Sequence, residues 1–253
     1  MIFSRVYGKG TPLVIIHGLF GMSDNWNTLG KRFAEKFNVH IVDLRNHGRS
    51  FHSNDFSYNL MAEDIEKYIH SLNLDRPIII GHSLGGKVGM NLALRSNIKF
   101  RKLIVVDIAP KKYSVDFHKN ILEFLSSISI KEFSSRVQID ELLSSEIKDF
   151  SVRQFLMKNL YRDTKKEFNW RFNIMVLKEK LDNISGVDFL DEKINIPTLF
   201  LSGERSNYIN EDDKQLISNY FDNYQIYTIA NSGHWIHAEQ PELFYNSVIS
   251  FIN

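Results

Sequence analysis

The residues of this sequence best suited to chemistry surround Ser83, in the segment Gly81-His82-Ser83-Leu84-Gly85. An apolar run over residues 78–80 precedes the segment, and a pattern with helical spacing follows it to about residue 95. A Gly-x-Ser-x-Gly motif between a strand and a helix is typical of the nucleophile elbow, a strained turn that presents a serine above a sheet. The glycines are needed because side chains there would clash where strand and helix approach each other. The motif therefore predicts Ser83 as a catalytic nucleophile, at a helix N-terminus that favours developing negative charge.

A serine hydroxyl needs a neighbouring base, and the sequence offers nine histidines. His234 lies in the loop after the last apolar run, where the base of a Ser-His-Asp system on this kind of sheet is expected. The remaining histidines, His118 among them, have no such placement, so we predict His234 as the base. His234, His237 and Glu239 could alternatively be metal ligands, but neither their spacing nor a further ligand segment favours this, and we expect no metal.

The third member of such a system is a buried carboxylate that orients the histidine. It is commonly found in the loop after the strand over residues 198–202, but that loop reads Gly203-Glu204-Arg205-Ser206-Asn207, with a serine in place of the acid. Asp107 ends the apolar run over residues 103–106, at the same sheet edge as Ser83. A carboxylate at the end of a buried strand needs a partner. We therefore predict Asp107 as the acid. Glu204 is the alternative, and in that case Asp107 would have the structural role of capping the point where the chain leaves the sheet for the inserted residues.

An acyl-transfer site also needs two N–H donors for the negatively charged oxygen of the intermediate. One donor is expected to be the amide of Leu84, directly after the nucleophile. The other is expected from the loop His17–Gly21, which follows an early apolar run, and Leu19 is the candidate there. A glycine-containing turn without a catalytic role would show the same sequence pattern. We therefore predict Leu19 and Leu84 as oxyanion-hole residues from their positions alone.

Composition excludes several classes of protein. The chain has 253 residues, a formal net charge of +1, 43% hydrophobic residues and no cysteine. The near-neutral charge provides no field for nucleic acid or an anionic membrane, and no apolar run approaches the roughly 20 residues that span a bilayer. Disulfides, thiolate metal sites and cysteine nucleophiles are excluded. The N-terminal residues show no signal-like apolar region, so we expect a cytoplasmic protein.

The elements that must position these residues follow from the hydrophobic pattern. Short apolar runs typical of strands buried on both faces recur along the chain, over residues 12–17, 39–43, 77–81, 102–107, 197–202 and 224–229. Helical patterns lie between most of them, and a final helix begins near Pro241. Alternating strands and helices predict an α/β fold with a mostly parallel central sheet flanked by helices.

One stretch interrupts this alternation. From residue 111 to residue 187 the sequence shows helical spacing and no convincing strand. We therefore predict a core domain formed by residues 1–110 and 188–253, and a helical cap formed by the inserted residues 111–187.

These motifs together resemble the α/β-hydrolase superfamily, and more closely the YbfF-type esterases of bacteria and their mitochondrial relatives. The resemblance extends over nearly the whole chain and rests on the segments His17–Gly21, Asp24–Trp26, Val42–Ser50, Gly81–Lys87, Val106–Pro110, Trp170–Asn173 and Gly233–Glu239. It implies Ser83, His234 and Asp107 as the catalytic triad of a serine esterase. It also implies short- or medium-chain acyl esters, or acyl thioesters such as acyl-CoA, as substrates.

The expected reaction has two stages, formation of an acyl-enzyme on Ser83 and its hydrolysis by water that His234 activates. No cofactor is needed, and the expected partner is a small-molecule acyl ester. Phe20 and Trp235 are candidates for the acyl pocket, although both could instead pack in the core. Two other functions use the same scaffold: a carbon–carbon hydrolase or lyase with the same triad, and a ligand-binding protein without turnover.

Overall fold

A computed structural model of the chain describes residues 1–95, 98–186 and 193–253. Within these residues a seven-stranded sheet has the strand order β1-β3-β2-β4-β5-β8-β9. Its strands are β1 (Ser4–Tyr7), β2 (Pro12–Ile16), β3 (Asn38–Val42), β4 (Ile78–His82), β5 (Lys102–Val106), β8 (Thr198–Gly203) and β9 (Tyr224–Ile229). All neighbouring strands are parallel except β1, which pairs antiparallel with β3. The predicted α/β fold with a mostly parallel sheet is confirmed.

Helices cover both faces of this sheet. They are α1 (Asn27–Phe33), α2 (Tyr58–Ser71), α3 (Leu84–Arg95), α8 (Glu211–Tyr220), α9 (Ile236–Glu239) and α10 (Pro241–Ile252). Pro241 occupies the first turn of α10, where its missing N–H costs nothing. No helix among the described residues is long and apolar enough to cross a membrane.

The continuous apolar strands form two cores because successive side chains of a strand point to opposite faces. Ile78 and Ile80 of β4 lie in one core, together with side chains of α1 and α10. Ile79, between them, lies in the other core, with side chains of α2 and α3. Both faces of the sheet are therefore covered by apolar cores, and the carboxyl ends of the parallel strands, where the polar residues lie, meet at one edge of the sheet.

The stretch between β5 and β8 contains α4 (Asp116–Ser127), α5 (Arg136–Leu143), α6 (Phe150–Met157) and α7 (Ile174–Glu179). The expectation that it holds no strand is wrong, because β6 (Leu160–Arg162) and β7 (Phe168–Trp170) form an antiparallel hairpin there. Each of these strands has only three residues, too few to show an alternating pattern in the sequence. The predicted boundary at residues 187 and 188 lies outside the described residues, and the division into core and cap stays a prediction. We refer to residues 111–186 as the insertion.

β1 was also absent from the sequence prediction. It is a four-residue edge strand whose side chains are only partly buried, so hydrophobic alternation is weak. β1 is stabilised by its pairing with β3, in the register Ser4 to Val42, and the local sequence gives no sign of that partner.

Candidate active site

Ser83 lies in a sharp turn between β4 and α3. Its φ of 51° is in the left-handed region, which is strained for a residue with a side chain. The turn is held by the bond from the Ser83 amide to the Val106 carbonyl at 2.9 Å and by the bond from the Gly86 amide to the Ser83 carbonyl at 2.9 Å. A Cβ on Gly81 would lie 2.2 Å from the Gly85 carbonyl oxygen, so glycine is required where strand and helix cross.

His234 and Asp107 form a hydrogen-bonded pair. The distance from His234 Nδ1 to Asp107 Oδ2 is 2.7 Å, and Asp107 is fully buried. Because a carboxylate only accepts, Nδ1 carries the proton and donates, which leaves Nε2 as the acceptor that a general base requires. Asp107 also has a left-handed backbone, with φ of 51°, at the point where the chain leaves β5.

The loop after β8 supports the Asp107 carboxylate with two further donors. The Gly203 amide donates to Oδ1 at 3.0 Å, and the Ser206 hydroxyl donates to Oδ2. Glu204, the alternative acid, points elsewhere, since its Oε2 accepts from the Asn231 amide at 2.8 Å. The loop therefore contributes a hydrogen-bond donor, Ser206, to the Asp107 carboxylate.

Buried imidazoles pack behind His234. His82 Nε2 lies 2.9 Å from the His234 carbonyl oxygen and donates to it, and the His237 ring stacks on Trp26 with centroids 4.0 Å apart. Burial, with the charge of His234 as a second cause, holds the pKa of His82 well below its usual range and lowers that of His237 to about 3. Both rings are therefore neutral near pH 7, and the packing fixes the backbone of His234.

The residues considered as metal ligands have other contacts. His234 faces Asp107, His237 faces Trp26, and the Glu239 carboxylate accepts from the Gly233 amide at 2.8 Å. In the described ranges, no group of three or more His, Cys, Asp or Glu side chains is arranged to hold a metal ion.

Leu19 and Leu84, the predicted oxyanion-hole residues, line the same cavity as Ser83. Leu84 is the first residue of α3, so its amide is among those without an intrahelical partner. The loop carrying Leu19 is fixed by a 2.9 Å bond from the Gly21 amide to the Gly18 carbonyl. It is also fixed by a 2.8 Å bond from Asn159 Nδ2 to the carbonyl of Phe20. Asn159 belongs to the insertion, which therefore supports the loop.

Two cavities meet at Ser83, Leu19 and His118. One is largely apolar and is lined by Phe20, Phe117, Ile121, Val152, Phe155, Leu156 and Trp235. The other carries more polar side chains, those of Tyr58, Lys87, Tyr113, Ser114 and Tyr208, beside the aliphatic residues Ile108, Val115, Leu181 and Ile184. We call them the apolar lobe and the tyrosine lobe. Phe20 and Trp235, predicted as pocket residues, both lie in the apolar lobe, and Trp235 packs on Phe155 with ring centroids 5.5 Å apart.

Sequence reasoning missed four residues at this site. Ser206 could have been suspected from its place in the loop after β8, and Lys87 from its place at the end of the segment Gly81–Lys87, but no motif marks Tyr208 or His118. Burial lowers the pKa of His118 to about 4, so this imidazole is neutral.

Lys87 lies one helical turn beyond Ser83 and is 2% exposed. Its Nζ donates to the Lys111 carbonyl at 2.7 Å and the Ser185 carbonyl at 3.1 Å, at the start and near the end of the insertion. Burial, and secondarily the charge of Lys111, lowers its pKa to about 7.

Comparisons with known proteins show the family to which this fold belongs. Residues 11–127 match the family model of the alpha/beta hydrolase fold. The chain is 38% identical to a putative esterase/lipase of Haemophilus influenzae, over 96% of this chain and 84% of the relative. It is 32% identical to the esterase YbfF of Escherichia coli, over 97% of this chain and 94% of the relative. A solved structure of a marine microorganism esterase superposes with a TM-score of 0.95 at 40% identity, covering 99% of this chain and 98% of that one.

Proposed function

The chain belongs to the α/β-hydrolase family of esterases and lipases, and from this premise we propose that it hydrolyses acyl esters through a triad of Ser83, His234 and Asp107. The observation that carries the proposal is the 2.7 Å contact between His234 Nδ1 and Asp107 Oδ2. It leaves His234 Nε2 free, and both His234 and Ser83 line the apolar lobe.

The first stage of the reaction forms an acyl-enzyme. His234 Nε2 takes the hydroxyl proton of Ser83 as the oxygen attacks the ester carbonyl carbon. The negative charge that develops on the carbonyl oxygen is stabilised by the amides of Leu19 and Leu84. The same histidine then gives its proton to the leaving alcohol, which departs as the ester bond breaks.

The second stage releases the acid. Water, deprotonated by His234, attacks the acyl carbon, and the proton returns to the Ser83 oxygen as the ester to the enzyme breaks. Asp107 stays ionised throughout and stabilises the imidazolium that forms in both stages. No cofactor enters any step.

The apolar lobe supports short- to medium-chain acyl groups as the substrate class. Phe20, Phe155 and Trp235 provide aromatic surface for a hydrocarbon chain, and burying each methylene there contributes about 0.8 kcal/mol. The leaving group then extends into the tyrosine lobe. We include acyl thioesters such as acyl-CoA in the proposal, since the same two stages cleave a thioester.

The test is a series of p-nitrophenyl esters from acetate to laurate, with a matched set of acyl-CoA thioesters, assayed on wild type and Ser83→Ala. We expect kcat/KM to rise with chain length and then fall once the apolar lobe is filled. Turnover should disappear in Ser83→Ala. Wild-type protein that releases neither p-nitrophenol nor CoA would overturn the proposed activity.

A further inference from the structure

The ring of Tyr208 lies face to face with the imidazole of His234. The two ring centroids are 3.9 Å apart and the planes differ by 17°. This is the closest approach to the His234 ring given by any aromatic side chain of the described chain, since the His82 and Trp235 rings lie at 4.7 Å and 6.2 Å. An aromatic face at this distance attracts a cation through the ring quadrupole.

Tyr208 is held in this position from two directions. Its amide donates to Ser206 Oγ at 3.2 Å, and Ser206 in turn donates to Asp107. On the other side, the Tyr113 ring stacks on Tyr208 with centroids 5.3 Å apart, and the Tyr113 hydroxyl donates to the Tyr208 carbonyl. One short segment of the loop after β8 therefore contacts both the acid and the base.

We propose that Tyr208 is a positioning residue whose ring face stabilises the protonated imidazole of His234 as the reaction proceeds. The proposal rests on the function proposed above, because in that reaction His234 becomes positively charged by taking the proton of Ser83 or of water. Burial, and secondarily the charge of Asp107, raises the pKa of Tyr208, so the phenol stays neutral and acts through its π face.

Several charged or titratable groups surround His234 and bear on the pH dependence of kcat/KM. Asp107 faces it from the end of β5, His82 from β4, His118 from α4 and His237 from α9. Burial lowers the pKa of each of these three histidines, so they are neutral between about pH 6 and 8. Lys87 lines the tyrosine lobe with Ser83 and Tyr208, and its pKa of about 7 falls in the same range. A displaced acid side of the kcat/KM profile is therefore assigned to His234 only where Tyr208→Phe, which leaves the surroundings of Lys87 unchanged, keeps the wild-type profile.

The direction of the effect follows from the geometry. Tyr208→Leu keeps an apolar side chain but removes the π face, so the imidazolium loses stabilisation in both the free enzyme and the transition state. We expect kcat/KM at its optimum to fall by about 2- to 30-fold. The acid side of the profile should move to lower pH by about 0.4 to 1.5 units, because a less stabilised cation releases its proton at lower pH.

The experiment compares Tyr208→Leu with Tyr208→Phe, which keeps the ring and its π face. Tyr208→Met replaces the leucine variant if that variant does not fold. The pH dependence of kcat/KM on p-nitrophenyl butyrate is measured for each. The proposal predicts an acid side shifted to lower pH for Tyr208→Leu and a wild-type position for Tyr208→Phe.

Two results would overturn the proposal alone. One is Ser83-dependent turnover in Tyr208→Leu with a reduced rate and an unmoved acid side, which is the signature of a merely structural role. The other is an equal shift in Tyr208→Phe, which keeps the π face. Wild-type protein without Ser83-dependent turnover would overturn the proposed function as well.

Discussion

Replacing Asp107 by Asn should reduce kcat by about 10³- to 10⁴-fold. The buried carboxylate accepts from the His234 ring at Oδ2, from the Gly203 amide at Oδ1 and from the Ser206 hydroxyl at Oδ2. Asparagine provides only one acceptor atom at these two positions. If its NH₂ group replaces Oδ2, it faces the donating Nδ1–H of His234, and the imidazole must move its proton to Nε2.

That change of tautomer explains the size of the effect. Nε2 must accept the proton of Ser83, and a nitrogen that already holds a proton cannot do so. The opposite orientation of the asparagine directs its NH₂ at the Gly203 amide, leaving two donors opposed in a fully buried site at a cost of about 1–3 kcal/mol. Neither orientation preserves the wild-type arrangement.

The matched control is Glu204→Gln. Glu204 is exposed and accepts one hydrogen bond from the Asn231 amide, which a glutamine oxygen can also accept. We expect kcat within about threefold of wild type, in keeping with the small net contribution of one exposed hydrogen bond. Both variants are assayed for p-nitrophenyl butyrate hydrolysis, with thermal unfolding as a check on folding. The reasoning is refuted if Glu204→Gln loses most activity while Asp107→Asn keeps it.

Three further predictions follow from burial and packing. Burial lowers the pKa of the neutral histidines His17, His47 and His237 to about 4, 3 and 3, so the unfolded chain binds more protons below about pH 6.5. The free energy of unfolding, measured with urea, should therefore be highest above that pH and fall as the pH is lowered towards 4. The fall should reach up to about 1.4 kcal/mol per pH unit for each histidine. A free energy of unfolding that does not change with pH would contradict the burial of these histidines as neutral rings. Phe155→Ala should enlarge the apolar lobe and move the chain-length optimum of p-nitrophenyl esters to longer acyl groups, whereas an unchanged optimum would place the acyl chain elsewhere. Gly81→Ala should prevent folding or destabilise the protein by more than about 3 kcal/mol, since the added Cβ meets a backbone oxygen at 2.2 Å; wild-type stability in thermal unfolding would show that the elbow can open.

The sequence was sufficient to predict the elements whose signals are local. The apolar runs that became the six parallel-sheet strands, and the glycines around Ser83, express constraints within a few neighbouring residues. The β6–β7 hairpin and β1 were missed because short or edge strands leave no clear alternation. Their stability depends on pairing partners elsewhere in the chain.

The support of the candidate site could not be predicted for a related reason. Ser206 is 99 residues from Asp107 in the sequence, and Asn159 is 139 residues from Phe20. The place of Ser206 in the loop after β8 marks the residue but not its contact with Asp107, and nothing in the local sequence marks Asn159. His118 likewise reaches the cavity only through the path of the insertion over the sheet. Packing between distant elements of the fold brings such residues to the site, and no local sequence pattern predicts this packing.

The central claim is that Ser83 is the nucleophile activated by His234 and Asp107. Labelling the protein with a fluorophosphonate and locating the adduct by peptide mass spectrometry tests it most directly, because the reagent bonds only to an activated serine oxygen. The account predicts one adduct, on Ser83, that is absent from Ser83→Ala and forms far more slowly in His234→Ala. An adduct on another serine, or labelling that persists in Ser83→Ala, would contradict it.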